Sequence, residues 1–111
     1  MNRTQAVLIL FLAAVLEAGG DAIVRSALHS SATTARALLF AFGAVVLFAY
    51  GYTVNAPPWD FGRLLGLYVV FFFVVAQLLS WIVFHQPPSR GVLAGGLLIV
   101  AGGIVISLVQ K

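Results

Sequence analysis

A chain of 111 residues has room for one domain, and its composition is 62% hydrophobic and 8% charged, with a mean hydropathy of +1.10. Soluble domains carry about 25% charged residues, so a soluble globule and an ordinary soluble enzyme are excluded. The net charge of +3 and pI near 10.0 do not make a nucleic-acid binder either, because six cations lie scattered with no cluster to meet phosphates.

The charged residues punctuate the chain at 3, 17, 21, 25, 36, 60, 63, 90 and 111. Between them lie uncharged stretches at 37–59, 64–89 and 91–110, each long enough as a helix to cross a hydrocarbon core of about 30 Å. A first span is expected at 5–28, carrying Glu17, Asp21 and Arg25. Arg3 followed by apolar 6–15 has the outline of a signal peptide. The apolar pattern nevertheless continues past Gly20 to Leu28 and three further spans follow, so a retained helix is expected. After a short polar loop at 29–34, a second span is predicted at 34–54. Pro57 and Pro58 end it, because adjacent prolines inside a helix forfeit backbone hydrogen bonds. A third span follows at 62–84, closed by Pro87 and Pro88, and a fourth at 91–110. In lipid the backbone must satisfy itself, and the apolar runs lack the short alternation of a barrel. The expectation is an all-α integral membrane protein: a single domain over 1–111, a four-transmembrane-helix bundle with almost nothing outside the bilayer.

Positive charge is almost balanced across the membrane. Arg3, Arg63 and Lys111 fall on one side, Arg36, Arg90 and an outward-reaching Arg25 on the other. The usual bias that sets orientation is therefore nearly absent. Either a partner decides the orientation, or the chain inserts both ways and forms an antiparallel, dual-topology homodimer, an inverted repeat built from two copies. The second is favoured, since four short helices can hardly enclose a substrate cavity.

Glu17 is the strongest functional signal. A charged side chain near the middle of a span costs about 2.5–3.5 kcal/mol to insert and marks a substrate or proton path. Leu10, Ala13 and Gly20 share its face and leave room around it. The plainer alternative is a carboxyl that only ties helices together. Asp21 and Arg25 continue the same side at four-residue steps, the favourable order for an ion pair near the membrane edge. Asp21 is equally a candidate for proton or substrate binding. In the third span Gln77 and Ser80 lie one turn apart beside Phe73, Trp81 and Phe84; they either pair helices or line a pore. Tyr68 lies on the opposite face with Phe72, Val75 and Leu79. Tyr50, Tyr52, Trp59 and Trp81 fall toward helix ends and read as interface anchors. The small residues Gly91, Gly95, Gly96, Gly102 and Gly103 make the fourth span the candidate dimer interface. His29 and His85 are expected as solvated loop residues. Cysteine is absent, and no metal-ligand cluster, phosphate loop or nucleophile–base set appears, so neither cofactor, metal nor enzymatic activity is expected.

Together these residues resemble the small multidrug resistance family of the drug/metabolite transporter superfamily. That family has chains of about this length, a helix-one glutamate where Glu17 stands, and a basic residue where Arg25 stands. The turn Phe84, His85, Gln86, Pro87 occupies the place of its helix-three terminus. Gly62 and Arg63 followed by Tyr68 look like the YnfA-type branch. The resemblance implies a proton-coupled exporter of organic cations, quaternary ammonium or guanidinium, in a prokaryotic inner membrane. It also implies an antiparallel homodimer in which proton and cation compete for Glu17, with the aromatic Tyr68 kept beside it and Asp21 an extra acid that the family pattern lacks. Helix three departs from the exporter pattern, with Val70, Phe71, Phe72 and Phe73 replacing a glycine-containing stretch. Two alternatives stay open: a lipid-carrier flippase subunit of the same superfamily, and an accessory bundle that stabilises a larger membrane complex.

Overall fold

The structure, a computed structural model, describes residues 2–109. It contains four helices: α1 (Arg3–Leu28), α2 (Thr33–Val54), α3 (Phe61–Phe84) and α4 (Arg90–Leu108). All four are long and apolar enough to cross a bilayer, and the molecule is an all-α, multi-pass membrane bundle. Lys111, counted in the charge balance, and the expected end of the fourth span at 110 lie outside the described residues.

Local chemistry sets the helix ends. Asn2 caps α1: its Oδ1 accepts from the Gln5 N–H at 2.8 Å, while its own N–H donates to Gln5 Oε1 at 3.2 Å. This reciprocal box starts α1 two residues before the expected boundary at 5, through polar residues that carry no apolar signal. Ser89 caps α4, accepting from the Val92 N–H at 3.2 Å. At the end of α3, His85 turns left-handed at φ 56° and the Gln86 N–H closes on the Ser80 carbonyl at 3.0 Å. The Ser80 hydroxyl completes that turn by donating to the Gln86 carbonyl at 3.0 Å.

Helix α1 lies between α2 and α3, and α4 packs on the far side of α3. The bundle is accordingly a flattened slab, 51 × 34 × 19 Å across its Cα atoms. Its core is the small-residue face of α1, where Leu10, Ala13, Ala14 and Ala18 meet Val54, Leu64, Tyr68 and Val75. Large apolar side chains such as Phe48, Leu98 and Ile82 cover the outside, as expected where lipid is the solvent.

The seating of α4 depends on two glycines. Gly96 lies under the ring of Phe73 and Gly103 under Val70, so that an added Cβ at either would run into the α3 side chain. Gly102, one residue away, faces open space. Gly103→Val is therefore expected to lower the thermal midpoint in detergent, at an overpacking cost of about 1–3 kcal/mol. Gly102→Ala leaves the midpoint unchanged or raised, since no neighbour is met. Equal losses in both variants, followed by circular dichroism, would show that α4 does not rest on α3 through Gly103.

Candidate functional site

Glu17 sits near the middle of α1, half-buried, with the small residues Ala13, Ala14, Ala18 and Gly20 around it. Its Oε1 accepts a hydrogen bond of 2.8 Å from the Tyr68 hydroxyl of α3. Tyr68 itself is 4% exposed, so its phenol is aimed at the carboxylate by packing rather than left to find it. Its ring lies 5.6 Å from that of Tyr50 on α2 and 6.3 Å from Phe72, tilted 32° and 35° respectively. Tyr50 therefore joins the Glu17 site through its contact with the Tyr68 ring.

The arrangement follows from α1 being the middle helix. The α1–α2 hairpin holds Gly20 against Leu47 and Val24 against Gly43, and the same antiparallel register carries Tyr50 opposite Glu17. From α3, the buried face with Leu64, Tyr68 and Val75 delivers the second phenol. One carboxylate thus stands beside a contacting pair of tyrosines, and no ion pair neutralises it among the described residues. Such a site offers an acceptor for a proton and, alternatively, a negative charge flanked by π faces for a cation.

Toward the C-terminal end of α1 a groove of 280 Å³ opens between α1 and α3. Asp21, Arg25, Phe72, Ser80, Phe84 and Gln86 border it, and Ala18 places it next to Glu17. Asp21 and Arg25 do not form the ion pair that their spacing suggested. The Arg25 guanidinium instead stands 5.4 Å over the Phe84 ring, and Asp21 is exposed in the groove with no cationic partner among the described residues. An aromatic face at the end of α3 competes for the guanidinium, and water-side exposure makes the lost pairing inexpensive.

The chain is 30% identical over 109 residues to a UPF0060 membrane protein of Herpetosiphon aurantiacus, with 96% of each chain covered. It belongs to the UPF0060 membrane protein family. No family model matches it, and no solved structure does. The relative's name states a membrane protein and no substrate.

In this UPF0060 protein the residues singled out from sequence divide into three groups. Glu17 and Tyr68 are brought into direct contact, with Asp21 one helical turn away. Arg25 and Ser80 border the groove, Ser80 also holding the turn after α3, whereas Gln77 is half-buried, lies outside the groove and makes no hydrogen bond among the described residues. The glycines separate by face. Gly96 and Gly103, expected at a dimer interface, instead seat α4 on α3, while Gly95 and Gly102 face open space and Gly91 is exposed. Tyr52 and Trp81 are exposed as interface anchors should be, but Tyr50 belongs to the Glu17 site and half-buried Trp59 stacks on Arg63 at 5.4 Å. The signal that could have found Tyr50 was the antiparallel register of the first hairpin, because a short 29–32 connection forces mid-span residues of α1 and α2 to face each other.

Proposed function

We propose that this UPF0060 protein is a small secondary transporter that exchanges protons for an organic cation at Glu17, in the manner of a cation exporter of the inner membrane. The observation that carries the reading is the mid-span carboxylate held at 2.8 Å by the hydroxyl of Tyr68, whose ring in turn lies against that of Tyr50. Competition is the mechanism. A carboxylate that holds a proton has no charge for a cation, so binding of either releases the other. The adjacent rings favour cations that cannot themselves donate a short hydrogen bond, such as quaternary ammonium, and planar guanidinium, which stacks.

A slab 19 Å thick cannot surround a substrate, which supports a second copy completing the cavity. The open stripe Gly91, Gly95 and Gly102 on α4 is the surface that such a copy would use. Balanced positive charge supports an antiparallel arrangement, in which the two protomers exchange conformations and alternate the side of access.

The test is proton release from detergent-solubilised protein on addition of a quaternary ammonium or guanidinium salt, in weakly buffered solution. Release that saturates with cation concentration is the expected result. No release for either cation class from folded protein would overturn the reading and favour the accessory-bundle alternative.

A further inference from the structure

A second cavity, of 340 Å³, lies at the opposite end of the bundle from the Asp21–Arg25 groove. It is formed where α1 and α3 begin and α4 ends, and Arg3, Arg63, Trp59 and Ser107 line its polar part. Leu10, Leu67 and Phe71 line its apolar part. None of the described residues lining it is acidic. Asp60, the acid nearest to Arg63 in sequence, is exposed and lies outside the lining.

Arg63 is the unexplained group. Its Nε is buried and has no hydrogen-bond partner among the described residues, while its guanidinium carbon stands 5.4 Å over the Trp59 ring. A buried guanidinium donor without an acceptor is costly, and the guanidinium fork is the side chain best matched to a phosphate. The Trp59 ring holds the guanidinium against this wall of the cavity. Two helix N-termini, those of α1 and α3, add partial positive charge at the same end. Asp60 starts α3 without accepting a capping hydrogen bond from it, so the first-turn N–H groups of α3 are not taken up by their own cap.

We propose that this cavity binds a phosphate-bearing anion, the headgroup of an anionic phospholipid, through Arg63. Arg3 adds a second positive charge to the lining, and Leu10, Leu67 and Phe71 supply the wall on which the start of an acyl chain lies. That apolar wall continuing from the basic part favours a lipid over a free ion, since inorganic phosphate gains nothing from it. A tryptophan at this level fits the membrane–water interface, where a headgroup would sit. The site lies outside the Glu17 site and does not rest on cation exchange.

The test is a lipid titration of the purified protein in a neutral detergent, read as the thermal midpoint. Phosphatidylglycerol is expected to raise the midpoint of the wild type, and phosphatidylcholine is not. In Arg63→Gln the phosphatidylglycerol concentration needed for half of the effect is expected to rise about fivefold or more. Arg36→Gln, an exposed arginine stacked on Phe40 at the other end of the bundle, leaves it unchanged. Arg63→Lys keeps the charge and loses the fork and Nε; it gives a smaller rise and carries the test should Arg63→Gln not fold. Inorganic phosphate in place of lipid separates the two sources: a full shift from phosphate alone assigns the site to a soluble anion and overturns the lipid assignment. Equal responses to both lipids, or an Arg63→Gln protein that responds like the wild type, would overturn the site itself.

Discussion

Glu17→Gln is expected to reduce cation-driven proton release to background while leaving helical content and oligomeric state unchanged. Glutamine nearly reproduces the shape of glutamate, and its amide oxygen still accepts from the Tyr68 hydroxyl that reaches Glu17 at 2.8 Å. The α1 face around it, with Ala13, Ala14 and Gly20, therefore packs as before. What disappears is the charge. The neutral amide neither titrates nor attracts a cation, so both halves of the competition fail together. A variant that still releases protons on cation addition would sink the Glu17 mechanism and move attention to Asp21, the other acid beside the α1–α3 groove.

Tyr68→Phe carries the second-largest expected effect. The phenol is buried at 4% exposure and its hydroxyl donates to Glu17. Hydrogen bonds to charged groups contribute about 1.5–3 kcal/mol, and about 1.4 kcal/mol is a factor of ten. The cation concentration that half-saturates proton release is thus expected to rise about tenfold or more. Phenylalanine keeps the ring that lies against Tyr50 and Phe72, so circular dichroism should show an intact bundle. Tyr68→Ala separates packing from polarity, since loss of a buried aromatic costs about 3–5 kcal/mol and lowers the thermal midpoint as well. If Tyr68→Phe saturates at the wild-type concentration, the hydroxyl does not position Glu17 for exchange.

The glycine results bear on assembly. Because Gly103 lies under Val70 and Gly102 is open, a bulky residue at 103 is expected to disturb the protomer, whereas one at 102 meets no neighbour within it and would report on the proposed second copy. The sequence treats these adjacent glycines alike, and their chemistry is identical. They differ only through the direction in which α3 lies.

How much of the molecule was legible follows the same division. The helices were legible because charges and proline pairs interrupt long apolar runs, and lipid permits no other self-satisfied backbone for such runs. The start of α1 at Arg3 was less so, because a capping box made by Asn2 and Gln5 extends the helix through polar residues. Glu17 and Tyr68 could each be singled out, one as a costly mid-span charge and the other as an aromatic on a defined face. Their contact, across 51 residues, could not. The Asp21–Arg25 pair was the reverse case. Local spacing favoured it, and Phe84 from a different helix drew the guanidinium away.

The sequence by itself determined that this protein is a four-helix membrane bundle with one acid placed deep in its first span, because hydropathy and insertion cost act on each segment alone. Tertiary structure decided that α1 is the central helix, so that Tyr68 from α3 bonds Glu17 and Tyr50 from α2 packs against that Tyr68. It likewise decided which glycines face α3 and left the Arg63 Nε buried without an acceptor beside Trp59. The physical reason is that in a nearly uniform apolar chain the choice of neighbouring helix rests on close packing and a few polar contacts, and those exist only once the helices have met.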